Sequence, residues 1–180
     1  MFVKLAIRDL ALVAAGISLW LWLAPLAESA RFADALGLIA GLGLVLTAYL
    51  AHEWGHALAA IATGAQIHPP HTLRHVSLFS FDTRTNTTYQ FAMMSLGGFA
   101  VTAVAVWYAY GWLPEEPFAA RVARGGITLL ASITVLVEVP LLLVGLAMRR
   151  IPSVVAVFRV PETEPDPAGE AARSGTEIPR

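Results

Sequence analysis

The chain has no cysteine, a single lysine and little charge overall. Without cysteine, disulfides and thiolate zinc sites are excluded, so any bound metal must use histidine, aspartate or glutamate. Charged residues make up 14% of the 180 residues, whereas an ordinary soluble domain has about 25%. The net charge of −1 gives no basis for nucleic-acid binding. Hydrophobic residues, by contrast, reach 57%, which indicates an integral membrane protein in contact with the lipid bilayer.

Four apolar segments are long enough to cross a bilayer, which takes about 20 residues. They cover residues 10–27, 35–63, 91–113 and 126–148. The sequence therefore predicts an all-α membrane protein with about four transmembrane helices, in which residues 1–150 form one transmembrane domain. The first segment has a second interpretation, a cleaved signal peptide, because Lys4 and Arg8 precede it. Its tryptophans favour a retained helix anchored at the membrane interface.

The distribution of basic residues predicts the orientation. With four spans, both termini and the middle loop share one side. That side carries Lys4, Arg8, Arg74, Arg84, Arg149, Arg150 and Arg159, and the other side carries Arg31, Arg121 and Arg124. The larger number of basic residues on the side that carries the termini places both termini in the cytoplasm. The arginine-rich, alanine-rich composition points to a bacterial plasma membrane. Residues 151–180 are predicted to be a disordered cytoplasmic tail, because proline, glutamate, glycine and alanine dominate it without periodicity.

The second apolar segment contains His52-Glu53-Trp54-Gly55-His56, an H-E-x-x-H motif. On a helix, residues four apart lie on one face, so the two histidines can bind one metal ion together. Glu53 lies one position round, where a carboxylate can take a proton from water at the metal. Ionisable side chains at membrane depth are costly and are most often functional. The motif therefore predicts one zinc ion per chain, with Glu53 as the catalytic base.

A catalytic zinc normally has three protein ligands, and the third must come from elsewhere in the chain. Glu138 is the leading candidate, because it is the single acidic residue of the fourth apolar segment. His52 and His56 lie roughly 12–18 Å from the end of their helix near Gly64, and Glu138 lies about 15 Å from Met148, so the depths match. Pro140 should disturb the helix beside Glu138. The alternatives in the middle loop are Asp82, His68, His71 and His75.

The loop between the second and third spans contains two β-prone stretches, residues 76–81 and 87–90, separated by a turn. Two interpretations stay open. The loop is a short hairpin that dips toward the membrane, where an exposed strand edge can bind an extended substrate, or it is an amphipathic surface loop.

These motifs resemble the site-2 proteases, a family of intramembrane zinc metalloproteases. The resemblance covers about residues 44–105 and includes the H-E-x-x-H helix, Gly64 at its end, and the small-residue stretch Ser95-Leu96-Gly97-Gly98-Phe99. We expect the two glycines to pack against the motif helix, and Gly37 and Gly41 to form another helix contact. The family's third ligand is typically an aspartate in an Asn-Pro-Asp-Gly type of motif. Here Glu138 stands where that aspartate is expected.

The resemblance implies an intramembrane endopeptidase that hydrolyses a transmembrane protein or peptide substrate. His52, His56 and Glu138 would bind the zinc ion, and Glu53 would accept the proton of water and pass it to the leaving amine. The glutamate in place of aspartate leaves a second hypothesis, a non-catalytic relative that binds or regulates other membrane proteins.

Overall fold

The structure, a computed structural model, describes residues 1–26, 32–70, 72–74 and 78–152. Its helices are α1 (Phe2–Leu26), α2 (Ala33–Ala62), α3 (Thr88–Gly111), α4 (Phe118–Ile133) and α5 (Val139–Met148). A π-helical segment, Thr134–Glu138, joins α4 to α5, and two short strands, β1 (Ile67–His68) and β2 (Ser80–Phe81), lie between α2 and α3. The predicted class, an all-α protein with a small β element between the second and third spans, is confirmed.

Within the described residues, four helical stretches are long and apolar enough to cross a membrane: α1, α2, α3 and the continuous stretch Phe118–Met148. Their mean hydropathies lie between 1.6 and 2.4. Large apolar side chains point outward, among them Trp22 at 77% exposed and Leu136 at 74%. Extended apolar surface of this kind suits contact with lipid, so the prediction of a membrane protein is confirmed.

All four spans begin earlier than predicted, and the difference is largest for α1, which begins at Phe2, and for the fourth span, which begins at Phe118. In these two spans, charged residues in the sequence suggested that the span had ended, but in the structure those residues are paired within the helix bundle. Asp9 is buried and forms an ion pair with Arg8, and the Arg124 Nε–H donates to the Ala109 carbonyl at the end of α3. Because their polar groups are satisfied, these helices continue through them.

α2 is the central helix, and glycines let its neighbours approach closely. A Cβ on Gly16 of α1 would lie 2.5 Å from the Gly43 carbonyl, and a Cβ on Gly41 would lie 2.6 Å from the Val122 side chain of α4. The predicted contact through Gly37 and Gly41 is therefore a contact with α4. Such close approach replaces the hydrophobic driving force that is missing between helices in lipid.

α2 ends at Ala62, and Gly64 follows it as the capping residue that the sequence predicts. This residue has a φ of +67°, and the Ala65 amide donates to the Ala60 carbonyl at 2.9 Å. A left-handed residue followed by such a bond is a common way to end a helix, and glycine adopts it without steric cost. The two motif histidines therefore lie two and three turns before the helix end.

The loop contains a pair of strands, but not the predicted pair. β2 pairs antiparallel with β1, with Ile67 opposite Phe81. The stretch 87–90, predicted as a strand, instead begins α3: the Thr87 side chain accepts from the Gln90 amide, and the Gln90 side chain accepts from the Thr87 amide. This capping box provides hydrogen-bond acceptors for backbone amides that, in an extended strand, would need a neighbouring strand as partner. The predicted strand at 87–90 is wrong for that reason.

Three further predictions fall on residues outside the described ranges. These are the end of the first apolar segment, where a signal peptide would be cleaved, the first residues of the stretch 76–81, and the predicted tail beyond residue 152.

Candidate metal centre

His52 and His56 lie one turn apart on α2 with their Nε2 atoms 3.0 Å from each other. His52 is 2% exposed and the His56 side chain 13%. The helical spacing of four residues places both rings on the face of α2 that meets α3 and the fourth span. The two imidazoles therefore converge on a single point inside the bundle.

The other ring nitrogen of each histidine is held by α3. His56 Nδ1 lies 2.8 Å from the Met94 carbonyl, and His52 Nδ1 lies 3.1 Å from the Gly98 carbonyl and 2.7 Å from Thr102 Oγ1. Because a carbonyl oxygen only accepts, the proton of each neutral ring is on Nδ1. Both Nε2 atoms then present a lone pair to the same point, as in metal-binding histidines.

Gly97 and Gly98 on α3 make room for this arrangement, as the sequence predicted. A Cβ on Gly97 would lie 2.4 Å from the Gly55 carbonyl, and a Cβ on Gly98 would lie 2.2 Å from the His56 ring. α3 can therefore approach α2 closely enough for its carbonyls to accept from the histidines.

We expect Gly98→Ala to lower the free energy of unfolding by about 1–3 kcal/mol, because the added methyl group overpacks the contact with the His56 ring. Thermal unfolding of the purified protein in detergent micelles measures the change. Gly125→Ala is the matched control, since a Cβ on that helical glycine meets nothing within 4 Å. The control should keep or slightly raise stability. Equal melting temperatures for the two variants would contradict the proposed close contact.

Glu138 reaches the histidines from the fourth span. Its Oε1 lies 3.4 Å from His52 Nε2, and its Oε2 lies 3.5 Å from His56 Nε2. It is the last residue of the π-helical segment, in which the Val139 amide donates to the Thr134 carbonyl. Pro140, which has no amide hydrogen, follows directly, so the predicted helix irregularity is present here. π-Helical turns are frequent at functional sites because they re-aim side chains.

The geometry and chemistry of these three side chains fit a zinc ion. Two ligand atoms about 2.0–2.1 Å from a tetrahedral centre lie about 3.3 Å apart. Here the two Nε2 atoms are 3.0 Å apart, and each lies 3.4 or 3.5 Å from a different oxygen of the Glu138 carboxylate. Glu138 Oε2 is buried without a hydrogen-bond donor in the part of the chain that the structure describes. The two facing imidazole lone pairs repel each other, and a cation between them would remove that repulsion.

Glu53 occupies the next position round α2, where the motif predicts the proton acceptor. It is half-buried, and its carboxylate lies near the backbone amide of Leu78, in the connection just before β2. The connection between α2 and α3 therefore folds back onto the bundle beside the histidines.

The alternative third ligands lie elsewhere or outside the described residues. Asp82 accepts from the Arg84 and Thr85 amides in a turn, and the Arg84 hydrogen bond lowers the pKa of its carboxyl group. His68 is exposed on β1. Among the described residues, the group whose ligand atoms lie within 4.8 Å of one another consists of His52, His56 and Glu138. His71 and His75 fall outside the described ranges.

Two contributors to the site escaped the sequence analysis. Thr102 lies four residues after Gly98 and therefore on the same face of α3. A polar residue on the face that packs against the motif helix was the signal that it could bind His52. Asp9 is an acidic residue near the start of a long helix, and it accepts from the Nε1–H of Trp54 at 3.0 Å.

Comparison with known proteins returned no match: no family model, no curated protein and no solved structure matches this chain. The resemblance to site-2 proteases therefore rests on the motif residues of the sequence alone.

Proposed function

We propose that the protein is an intramembrane zinc-dependent endopeptidase of the site-2 protease type. The observation that carries the proposal is the convergence of His52, His56 and Glu138 within a membrane-spanning bundle, with Glu53 one residue from the first ligand. Two histidines and one carboxylate form a ligand set of catalytic zinc sites. The proposed substrate is a transmembrane protein or peptide, because the site lies between apolar, membrane-spanning helices.

Each side chain has a definite part in the proposed reaction. His52, His56 and Glu138 would hold a zinc ion. The ion supplies Lewis acidity, which polarises a peptide carbonyl and makes water acidic near neutral pH. The Glu53 carboxylate takes a proton from the attacking water and passes it to the nitrogen of the leaving amine. The nearby Leu78 amide would orient that carboxylate.

The substrate must unwind at the bond that is cleaved, because the carbonyls of a helix are occupied by its own hydrogen bonds. Water must also reach the site. The shortest path starts from the side on which α2 ends at Gly64, which we assign to the cytoplasm of a bacterial plasma membrane on the basis of the basic residues.

The proposal is tested with the full chain in lipid nanodiscs. The probe is a synthetic single-span peptide of alanine and leucine with a central Gly-Pro pair, flanked by a fluorophore and a quencher. We expect one zinc per chain by elemental analysis, and cleavage that a chelator removes and added zinc restores. Failure to bind zinc would overturn the proposal. Bound zinc without cleavage would favour the alternative, a non-catalytic membrane protein with a binding or regulatory role.

We expect Thr102→Val to weaken zinc binding about 10–100-fold, the usual effect of losing a residue that orients a metal-binding histidine. The variant removes the hydroxyl group 2.7 Å from His52 Nδ1 and nearly preserves the side-chain volume. Competition with a chromophoric chelator measures the affinity. Thr128→Val is the control, since that threonine bonds Tyr110 and the Arg124 carbonyl on the exposed side of α4. If Thr102→Val bound zinc as tightly as the parent, the Gly98 carbonyl alone would orient the His52 ring.

A further inference from the structure

α1 carries a carboxylate in an unusual place. Asp9 is 2% exposed, and both of its oxygens are engaged: Oδ1 accepts from Arg8 Nε at 2.7 Å, and Oδ2 accepts from Trp54 Nε1 at 3.0 Å. A buried charge is costly unless it is paired and hydrogen-bonded. The partner from α2 is the residue that follows Glu53, so the bond ties α1 to the motif itself.

Arg8 extends the contact to the connection between α2 and α3. Its Nη1–H donates to the backbone carbonyl of Leu73. Three parts of the chain, namely α1, the motif helix and the connection, therefore meet around the Arg8–Asp9 ion pair.

A small apolar cluster lies one helical turn away on the same face of α1. Leu5 (0% exposed), Ala57 of α2 (0%) and Leu78 of the connection (1%) pack together. Trp54 and Phe79 pack against this cluster. Leu5 and Asp9 are four residues apart and lie on the same face of α1. The hydrogen bonds of Asp9 that hold α1 in place therefore also position Leu5, against which Leu78 packs.

The backbone of Leu78 lies close to the site. Leu78 packs on Ala57, which is four residues after Glu53 and on the same face of α2, so the Leu78 amide lies near the Glu53 carboxylate. We propose that Asp9 is a positioning residue: by binding Trp54 and Arg8 it seats α1 against α2, and α1 in turn holds Leu78 where its amide aims Glu53. This inference rests on the proposed function, because it gives α1 a part in the reaction beyond that of a membrane anchor.

The absence of cysteine from the chain allows a direct test. In Leu78→Cys, the single thiol is buried when α1 holds the connection in place, and it reacts slowly with a maleimide. Adding Asp9→Ala or Trp54→Phe is expected to raise the labelling rate about tenfold, the change expected for losing one hydrogen bond to a charged group. Asp9→Asn keeps an oxygen for the Trp54 Nε1–H but sets an amide NH2 against the Arg8 Nε–H, so its labelling rate should fall between those of the parent and Asp9→Ala. Thr72→Cys, at an exposed position of the same connection, should react equally fast in every background.

The kinetic arm uses the same substitutions in the cysteine-free chain. Asp9→Ala is expected to lower kcat about tenfold with KM unchanged and one zinc per chain retained, and Asp9→Asn, which keeps one of the two acceptors, should restore part of kcat. A general loss of folding would instead lower the zinc content along with kcat. If the parent cleaves peptide but Asp9→Ala changes neither labelling nor kcat, the inference fails while the proposed function stands. If the parent cleaves nothing, the proposed function fails, and the labelling rates still decide whether Asp9 holds Leu78.

Discussion

Glu53→Gln is expected to lower kcat for the peptide probe by a factor of roughly 10²–10⁴, the range typical of losing a general base. The amide has nearly the shape of the carboxylate, so it can occupy the same place beside the Leu78 amide. It cannot take up the proton of the attacking water at neutral pH, however. Since Glu53 is not among the three convergent ligand side chains, the variant should retain one zinc per chain.

Initial rates with the quenched peptide and elemental analysis of the same sample separate these two effects. Glu115→Gln is a suitable control, because this exposed glutamate lies in the connection between α3 and α4. It should cleave as the parent does. A Glu53→Gln protein that retains more than a tenth of the parent kcat would exclude Glu53 as the base, and with it the proposed mechanism.

The sequence predicted that His52 and His56 lie together, because their spacing of four residues is close to one turn of an α-helix. A helix over residues 52–56 places both imidazoles on one face whatever surrounds them. The glycines at 97 and 98 were similarly informative, since a pair of small residues in an apolar span indicates close helix packing. In the structure that packing brings carbonyl oxygens to His52 and His56.

Glu138 was predicted from its depth. A lone acid in an apolar span needs a partner, and its distance from the end of its helix matches that of the motif histidines. The depth argument could not supply the π-helical segment that aims the side chain. That irregularity depends on which amides donate to the backbone carbonyls that precede Pro140. The pattern of side chains in the sequence does not determine this local hydrogen bonding.

The connection between α2 and α3 was predicted least well, for a physical reason. Leu78 contributes to the site through a backbone amide, which every residue except proline possesses and which therefore leaves no signature in the sequence. The alternation in residues 76–81 indicated a strand, but the strand partner turned out to be β1, which is two residues long. Such short pairing depends on the tertiary contacts of the loop.

Glu138→Ala is expected to weaken zinc binding by more than the roughly 100-fold upper range seen for residues that only orient a ligand, and to abolish cleavage. The substitution removes a ligand, and it leaves two imidazole lone pairs 3.0 Å apart without a carboxylate to balance the charge of the cation. Glu138→Asp should fall between the parent and the alanine variant. It keeps the charge, but its side chain is shorter by one methylene group.

The decisive comparison is with Asp82→Ala, which removes the other acidic candidate. Asp82 accepts from two backbone amides of its own turn, so its loss should perturb the connection while leaving the zinc affinity near that of the parent. Competition with a chelator, followed over both variants, distinguishes the two carboxylates. Should Asp82→Ala lose zinc while Glu138→Ala keeps it, the third ligand would come from the connection, and the π-helical turn would need another explanation. The opposite result would mean that a glutamate on a distorted span does here what an aspartate does in the family that the motif resembles.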